Sequence, residues 1–165
     1  MAPRPSRLQQ EIKQTRPFRS VGQEAILALF KTTDMLRRHF GRLVGQLGEA
    51  DELTLQQYNV LRILRGAGAE GLPTLEIATR MIEQAPGITR LLDRLEAKDL
   101  VARQRCPEDR RRVTCRISKR GLALLGRLDE QMNRSDEVFD AAIGPAELKR
   151  LVDLLDRMRK VLSTA

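Results

Sequence analysis

The apolar spacing of this chain changes once, from a helical period near 3.6 to a strand period of 2, between Leu100 and Ser118. Leu100–Cys106 and Val113–Ser118 both alternate, the second with Val113, Cys115 and Ile117 on one face. Between them stands Pro107-Glu108-Asp109-Arg110-Arg111-Arg112, a turn start followed by three arginines. One such hairpin in a chain that otherwise repeats at helical spacing sets the expected fold class: mainly α with a small β-hairpin. The rest of the sequence is therefore best read as helices ordered around that hairpin.

On the N-terminal side, Pro3, Pro5 and Pro17 with little apolar periodicity mark residues 1–20 as a basic arm, holding at most a helical turn around Leu8–Gln14. A helix fits from Gln23 to near Gly45–Gly48, with Leu29, Leu36, Phe40, Leu43 and Leu47 on one side. The next start is marked by a capping box, Thr54 with Gln57, and by Leu53 and Tyr58 placed as a hydrophobic staple. That helix carries Leu61 and Leu64 and stops at the Gly66/Gly68 pair. After Gly71-Leu72-Pro73, Thr74 is expected to cap a short helix whose apolar side is Leu75, Ala78, Met81 and Ile82. Pro86 suits the first turn of another helix, which buries Ile88, Leu91, Leu92 and Leu95 and ends near Lys98-Asp99.

On the C-terminal side, Ser118 is placed to cap a long helix with Leu125, Leu128, Met132, Ser135, Phe139 and Ala142 at spacings of 3 and 4. Gly144-Pro145 breaks it, and a last helix presents Leu148, Leu151, Val152, Leu155 and Leu162. Taken in order, helix, short helix, turn, helix and two-stranded hairpin describe a winged helix-turn-helix. The expected organisation is a basic arm (1–20), an N-terminal dimerisation helix (21–50), a DNA-binding winged helix-turn-helix (51–120) and C-terminal dimerisation helices (121–165). The long apolar stripes outside the winged part need a cover, and the simplest cover is the same stripe in a second subunit, a homodimer.

Charge locates the candidate interface. The net charge of +8 is not spread evenly: residues 1–20 carry +4, residues 86–120 carry 11 basic against 5 acidic side chains, and the two remaining stretches are each −1. A compact basic block is the footprint of a surface that meets phosphates. On the helix that follows Pro86, the face opposite the apolar positions shows Thr89, Arg90 and Arg94, with Gln84 and Pro86 near its mouth. A helix in the major groove reads base edges from its first turns, and arginine bonds guanine O6 and N7 together. Three arginines at a hairpin tip, Arg110, Arg111 and Arg112, repel one another and bury nothing, which makes sense in a groove that focuses negative potential. Asp109 offers a carboxylate to orient one of them.

These residues resemble a known family. Ile88-Thr89-Arg90-Leu91-Leu92-Asp93-Arg94-Leu95-Glu96, Leu100-Val101-Ala102-Arg103, Pro107 to Arg112, and Ile117-Ser118-Lys119-Arg120-Gly121 are similar to the winged helix-turn-helix of the multiple-antibiotic-resistance regulator (MarR) family of bacterial transcription factors. The Asp-x-Arg wing signature falls on Asp109 and Arg111, and the likeness in arrangement extends over roughly 23–162. The resemblance implies that Arg111 enters the minor groove with Asp109 supporting it, and that the N- and C-terminal helices dimerise. It also implies that two recognition helices about one turn of duplex apart read a palindrome. Members often take small aromatic or phenolic effectors in a cleft beside the dimer helices, where position alone nominates Met35, His39 and Tyr58; for His39 a partly exposed surface histidine is the plainer reading. Two positions depart from the pattern: Asp99 stands where glycine is usual, and Cys106 where a small polar residue is common.

Other classes are weaker. The longest wholly apolar run, Ala25 to Phe30, is too short for a membrane span, and no apolar secretory segment follows the N-terminus, so a cytoplasmic protein is expected. No cofactor is expected. One histidine and two cysteines leave little for a metal centre, a triad or a disulfide framework, and neither a phosphate loop nor paired catalytic carboxylates is present, so an enzyme is not expected. A sequence-indifferent architectural or RNA-binding protein would want aromatic stacking platforms, and aromatics are 3% of this chain. A redox-sensing regulator is the remaining alternative, because Cys106 and Cys115 neighbour Arg105 and Arg116; two small side chains on strands is the plainer reading.

Overall fold

The computed structural model describes residues 5–47, 53–83, 87–105 and 113–164. It divides into two compact units, Met1–Arg42 and Leu43–Ala165.

In the first unit the arm is built, not loose. Helix α1 (Arg7–Glu11) opens with a capping box: Ser6 Oγ accepts the Gln9 N–H at 3.3 Å, and Gln9 Oε1 accepts the Ser6 N–H at 2.9 Å. The amides of Gln9 and Gln14 both donate to the Arg16 carbonyl, at 3.2 and 2.8 Å, and so fold the chain back on itself. Ser20 Oγ then accepts the Gln23 N–H at 3.1 Å, so α2 (Val21–Leu47) starts two residues before the expected Gln23. Val21, Ile26, Leu29 and Phe30 of α2 are exposed within this unit, Phe30 by 68%. The helix runs past Arg42, and Val44 is buried.

The second unit is organised by α3 (Leu55–Ala67). Thr54 and Gln57 form the expected reciprocal cap, with N–H to oxygen distances of 3.0 and 3.3 Å, and Leu53 and Tyr58 are both buried as the staple requires. Val60, Leu61 and Leu64 continue the buried face into one aliphatic core with Ile77, Leu92, Leu95, Leu100, Leu124, Leu125 and Leu128. Gly68 ends α3 at φ 66, as the glycine pair suggested.

Among the described residues the sheet has three strands, not two. Leu72–Pro73 (β1) pairs antiparallel with Val113–Ile117 (β3), which pairs antiparallel with Val101–Arg105 (β2), giving the order β1-β3-β2. A side chain at Gly71 (φ 68) would run into the Cys115 carbonyl, so a glycine there is what lets the short third strand come close.

Helix α4 (Thr74–Arg80) corrects two expectations. Its N-cap is Pro73, and Thr74 lies inside the helix with its hydroxyl 3.9 Å from Cys115 Sγ. Ile77 is fully buried, whereas Leu75 and Ile82 are 80% and 81% exposed. The proline fixes the helix start one residue early, and the helix ends at Arg80, so its inward stripe is set by contact with α3 and α5 and differs from the one Leu75 and Ile82 suggested. Helix α5 (Ile88–Ala97) buries Leu92 and Leu95 fully, with Ile88 and Leu91 partly covered. It ends in a Schellman motif: the Leu100 N–H donates to the Leu95 carbonyl and the Asp99 N–H to the Glu96 carbonyl, both at 2.9 Å, with Asp99 at φ 55.

Ser118 caps α6 (Lys119–Ile143) by accepting the Gly121 N–H at 3.0 Å, as expected. Gly121, Leu124, Leu125 and Leu128 of its first half are buried. Gly144 ends α6, and Pro145 begins α7 (Pro145–Ser163). No residue of α7 is buried, and Leu151, Val152, Leu154, Val161 and Leu162 are exposed.

Candidate nucleic-acid interface

Helices α4 and α5 with the β2–β3 hairpin form the helix-turn-helix and the base of the wing. The core fixes how α5 is rolled: with Leu92 and Leu95 inward, Thr89, Arg90 and Arg94 all emerge on the solvent side. Three of the residues nominated from sequence therefore share one exposed face. Gln84, Pro86 and the tip residues Asp109, Arg110, Arg111 and Arg112 lie outside the described residues, as does Cys106. The N-cap of α5 is Gly87, in a left-handed conformation at φ 104, and it offers no side chain to the helix N-terminus. Helix N–H groups left open in this way favour an anion.

The same face carries two carboxylates, Asp93 and Glu96, which on their own would repel phosphate. Both are held by Arg103 of β2. Its Nη2 donates to Asp93 Oδ1, its Nε lies 3.0 Å from Glu96 Oε2 as an ion-pair contact, and its backbone N–H donates to Glu96 Oε1 at 3.2 Å. The hydrogen bond that Arg103 donates to Asp93, with the two carboxylate charges, keeps its guanidinium above the ordinary range despite partial desolvation. Arg90 and Arg94, by contrast, have no carboxylate partner among the described residues. The helix thus shows two uncommitted guanidinium groups on a surface whose acids are already engaged. Sequence reasoning missed Arg103, because its partners lie 7 and 10 residues away on another element; the available signal was an acid pair spaced i, i+3 on an exposed helix face.

The wing stem is braced on its outer side. Arg116 Nη1 donates to Gln104 Oε1 at 3.0 Å across the two strands, and its Nε to the Glu70 carbonyl at 3.4 Å. Cys115 is fully buried in the same sheet, and burial pushes its thiol up, against weaker pulls from Thr74 and Arg103. A thiol activated for redox chemistry needs the opposite shift.

The three residues nominated for a ligand are distributed over both units. Met35 and His39 lie on α2, Met35 exposed and His39 packed edge-on against Phe40 at 5.1 Å between ring centroids. Tyr58 lies in the core of the other unit, 7% exposed, with the Arg62 guanidinium 5.8 Å from its ring centroid. No helix among the described residues is long and apolar enough to cross a membrane.

A helix-turn-helix with a cationic, outward-facing second helix and an adjoining antiparallel wing defines the class of winged-helix DNA-binding proteins. The sequence profile of the MarR family matches residues 53–113. A protein of Thauera aromatica, described as a transcriptional regulatory protein for the hcr operon, is 31% identical over 121 residues, 73% of this chain and 70% of that one. The crystal structure of a MarR transcription factor from Planctomyces limnophilus superposes with a TM-score of 0.60 at 40% identity, covering 85% of this chain and 98% of that one. That of NadR in complex with 4-hydroxyphenylacetate gives 0.67 at 25% identity, covering 88% and 99%. The chain belongs to the MarR family and is a transcriptional regulator of the winged-helix type, a class of non-enzymatic DNA-binding proteins.

Proposed function

We propose that this regulator is a cytoplasmic homodimeric repressor that reads a palindromic duplex site. In each subunit α5 lies in the major groove, with Thr89, Arg90 and Arg94 at base edges or phosphates and Gln84 and Pro86 at the helix mouth. The wing tip enters the neighbouring minor groove, Arg111 foremost, flanked by Arg110 and Arg112 and oriented by Asp109. The observation that carries this reading is the exposed face of α5, whose two arginines have no carboxylate partner among the described residues while its two acids are engaged. The apolar side chains that α7 leaves in solvent, with Leu162 74% exposed, support a dimer through residues 21–50 and 121–165 flanking the reader at 51–120. Residues 1–20 serve as an accessory basic arm.

A small aromatic effector is extended to this chain from NadR, whose structure holds 4-hydroxyphenylacetate. Met35, His39 and Tyr58 are the positions at which that extension is tested. A ligand of this kind acts only through different affinities for the DNA-competent and incompetent states.

The test is selection of fragments from the source genome followed by competition binding. A sequence-reading dimer prefers one fragment over bulk DNA by about 10³-fold or more and protects it symmetrically. Repression is read as lower transcription from the adjoining promoter when the protein is added, and effector action as recovery on adding 4-hydroxyphenylacetate. Equal affinity for all duplexes, or a strictly monomeric protein in sedimentation, is the contrary result.

A further inference from the structure

Arg90, Asp93 and Arg94 occupy one stripe of α5, with Asp93 three residues after Arg90 and therefore within reach of it. Left alone, Asp93 pairs with Arg90 and draws it away from any ligand. In the structure Asp93 is instead bonded to Arg103, and Arg90 has no partner among the described residues. The exposures show the direction of approach. The Arg103 side chain is 19% exposed, against 56% for Asp93 and 44% for Glu96. The arginine thus reaches the two acids from the sheet beneath them and is the least accessible of the three. Its backbone N–H on Glu96 Oε1 adds a bond that does not depend on the Arg103 side chain, tying the first wing strand to the helix.

We propose that Arg103 is a positioning residue for DNA binding, which holds Asp93 and Glu96 from the sheet side so that Arg90 stays unpaired and the DNA-facing surface of α5 stays positive. It acts through the two carboxylates and touches no nucleotide. This rests on the reading of α5 as the helix that meets DNA, and the experiment separates the two. A partner that meets this face finds two cations beside two acids that share one guanidinium, so the face stays net positive, which favours close approach of a phosphate chain.

The experiment measures affinity for sheared genomic DNA of the source organism across a salt series, beside thermal unfolding of each variant. Arg103→Gln takes the guanidinium from both acids, leaving Glu96 only the backbone N–H of residue 103, and lets Asp93 capture Arg90, so binding falls by about tenfold. Adding Asp93→Asn and Glu96→Gln to Arg103→Gln removes the acids as well, and binding returns to within about threefold of the parent. In that triple variant the slope of log affinity against log salt equals the parent's, whereas a lost phosphate contact would lower it by about one. Parent-like binding by Arg103→Gln, a triple variant as weak as the single one, or a slope lowered by one overturns the proposal. If Arg103→Gln does not fold, Asp93→Asn in the parent decides: retained or tighter binding supports the proposal, and weaker binding overturns it. Unchanged binding by Arg90→Ala/Arg94→Ala would instead remove the reading of α5 itself.

Discussion

The carbonyl of Leu100 occupies the space that a side chain at residue 121 would need. A Cβ on Gly121 would press into that oxygen and come within 2.8 Å of Ile117 Cγ1. The same carbonyl accepts the Ser118 N–H at 3.0 Å, so the start of β2 and the start of α6 share one backbone atom. Because the obstacle is main chain, it cannot rotate aside. Gly121→Ala is expected to cost about 1–3 kcal/mol in urea unfolding, where Gly126→Ala, with nothing near its position, is expected to be neutral or stabilising.

Asp99 closes α5 in a left-handed conformation, and its carbonyl accepts the Ser118 hydroxyl at 2.6 Å. The bonds of the Schellman motif are all main-chain, so glycine can make them without the strain that a Cβ brings. Asp99→Gly is expected to raise stability by about 0.5–1 kcal/mol in the same assay. A loss would mean that the Asp99 carboxylate contributes something beyond its backbone.

The inward side of α4 is decided by Ile77. Ile77→Ala is expected to cost about 2–5 kcal/mol, because the side chain is fully buried among α3, α5 and the sheet. Leu75→Ala is expected to shift stability by no more than about 0.5 kcal/mol. Comparable losses at both positions would mean that α4 is rolled differently.

That contrast marks what local sequence conveys. The Thr54–Gln57 box, the Ser118 cap and the Gly144-Pro145 break are short-range chemistry, and each stands where the spacing placed it. The roll of α5 was also legible, because Leu92 and Leu95 leave only one face for Thr89, Arg90 and Arg94. Helix α4 has seven residues, too few for periodicity to choose between Leu75 and Ile77, so packing chose. Strand β1 is two residues long and includes a proline, so no alternation could reveal it; its pairing with Cys115 and Thr114 is a long-range event. Arg103 was invisible for the same reason.

Cys115 should behave as a core thiol. In a Cys106→Ser background, iodoacetamide is expected to label Cys115 slowly in the native protein and quickly in urea. Its folded pKa is raised, so above about pH 8.5 the unfolded chain loses this proton before the folded protein does. The unfolded state then binds fewer protons, and stability falls as pH rises from there to the folded pKa. Tyr58, also raised by burial, adds a decline of the same sign from about pH 10. Cys115→Ala is expected to flatten the first part of that decline and leave the second. An unchanged first part, or rapid native labelling, would contradict the burial of this thiol.

Salt dependence of duplex binding puts the proposed interface to the most direct trial. Each phosphate contact adds about −0.9 to the slope of log affinity against log salt. The parent protein is expected to show a steep negative slope, and Arg90→Ala/Arg94→Ala a weaker affinity with a fold that melts as before. A flat salt response in the parent, or full binding by the folded double variant, would contradict the assignment of α5 as the surface that grips DNA.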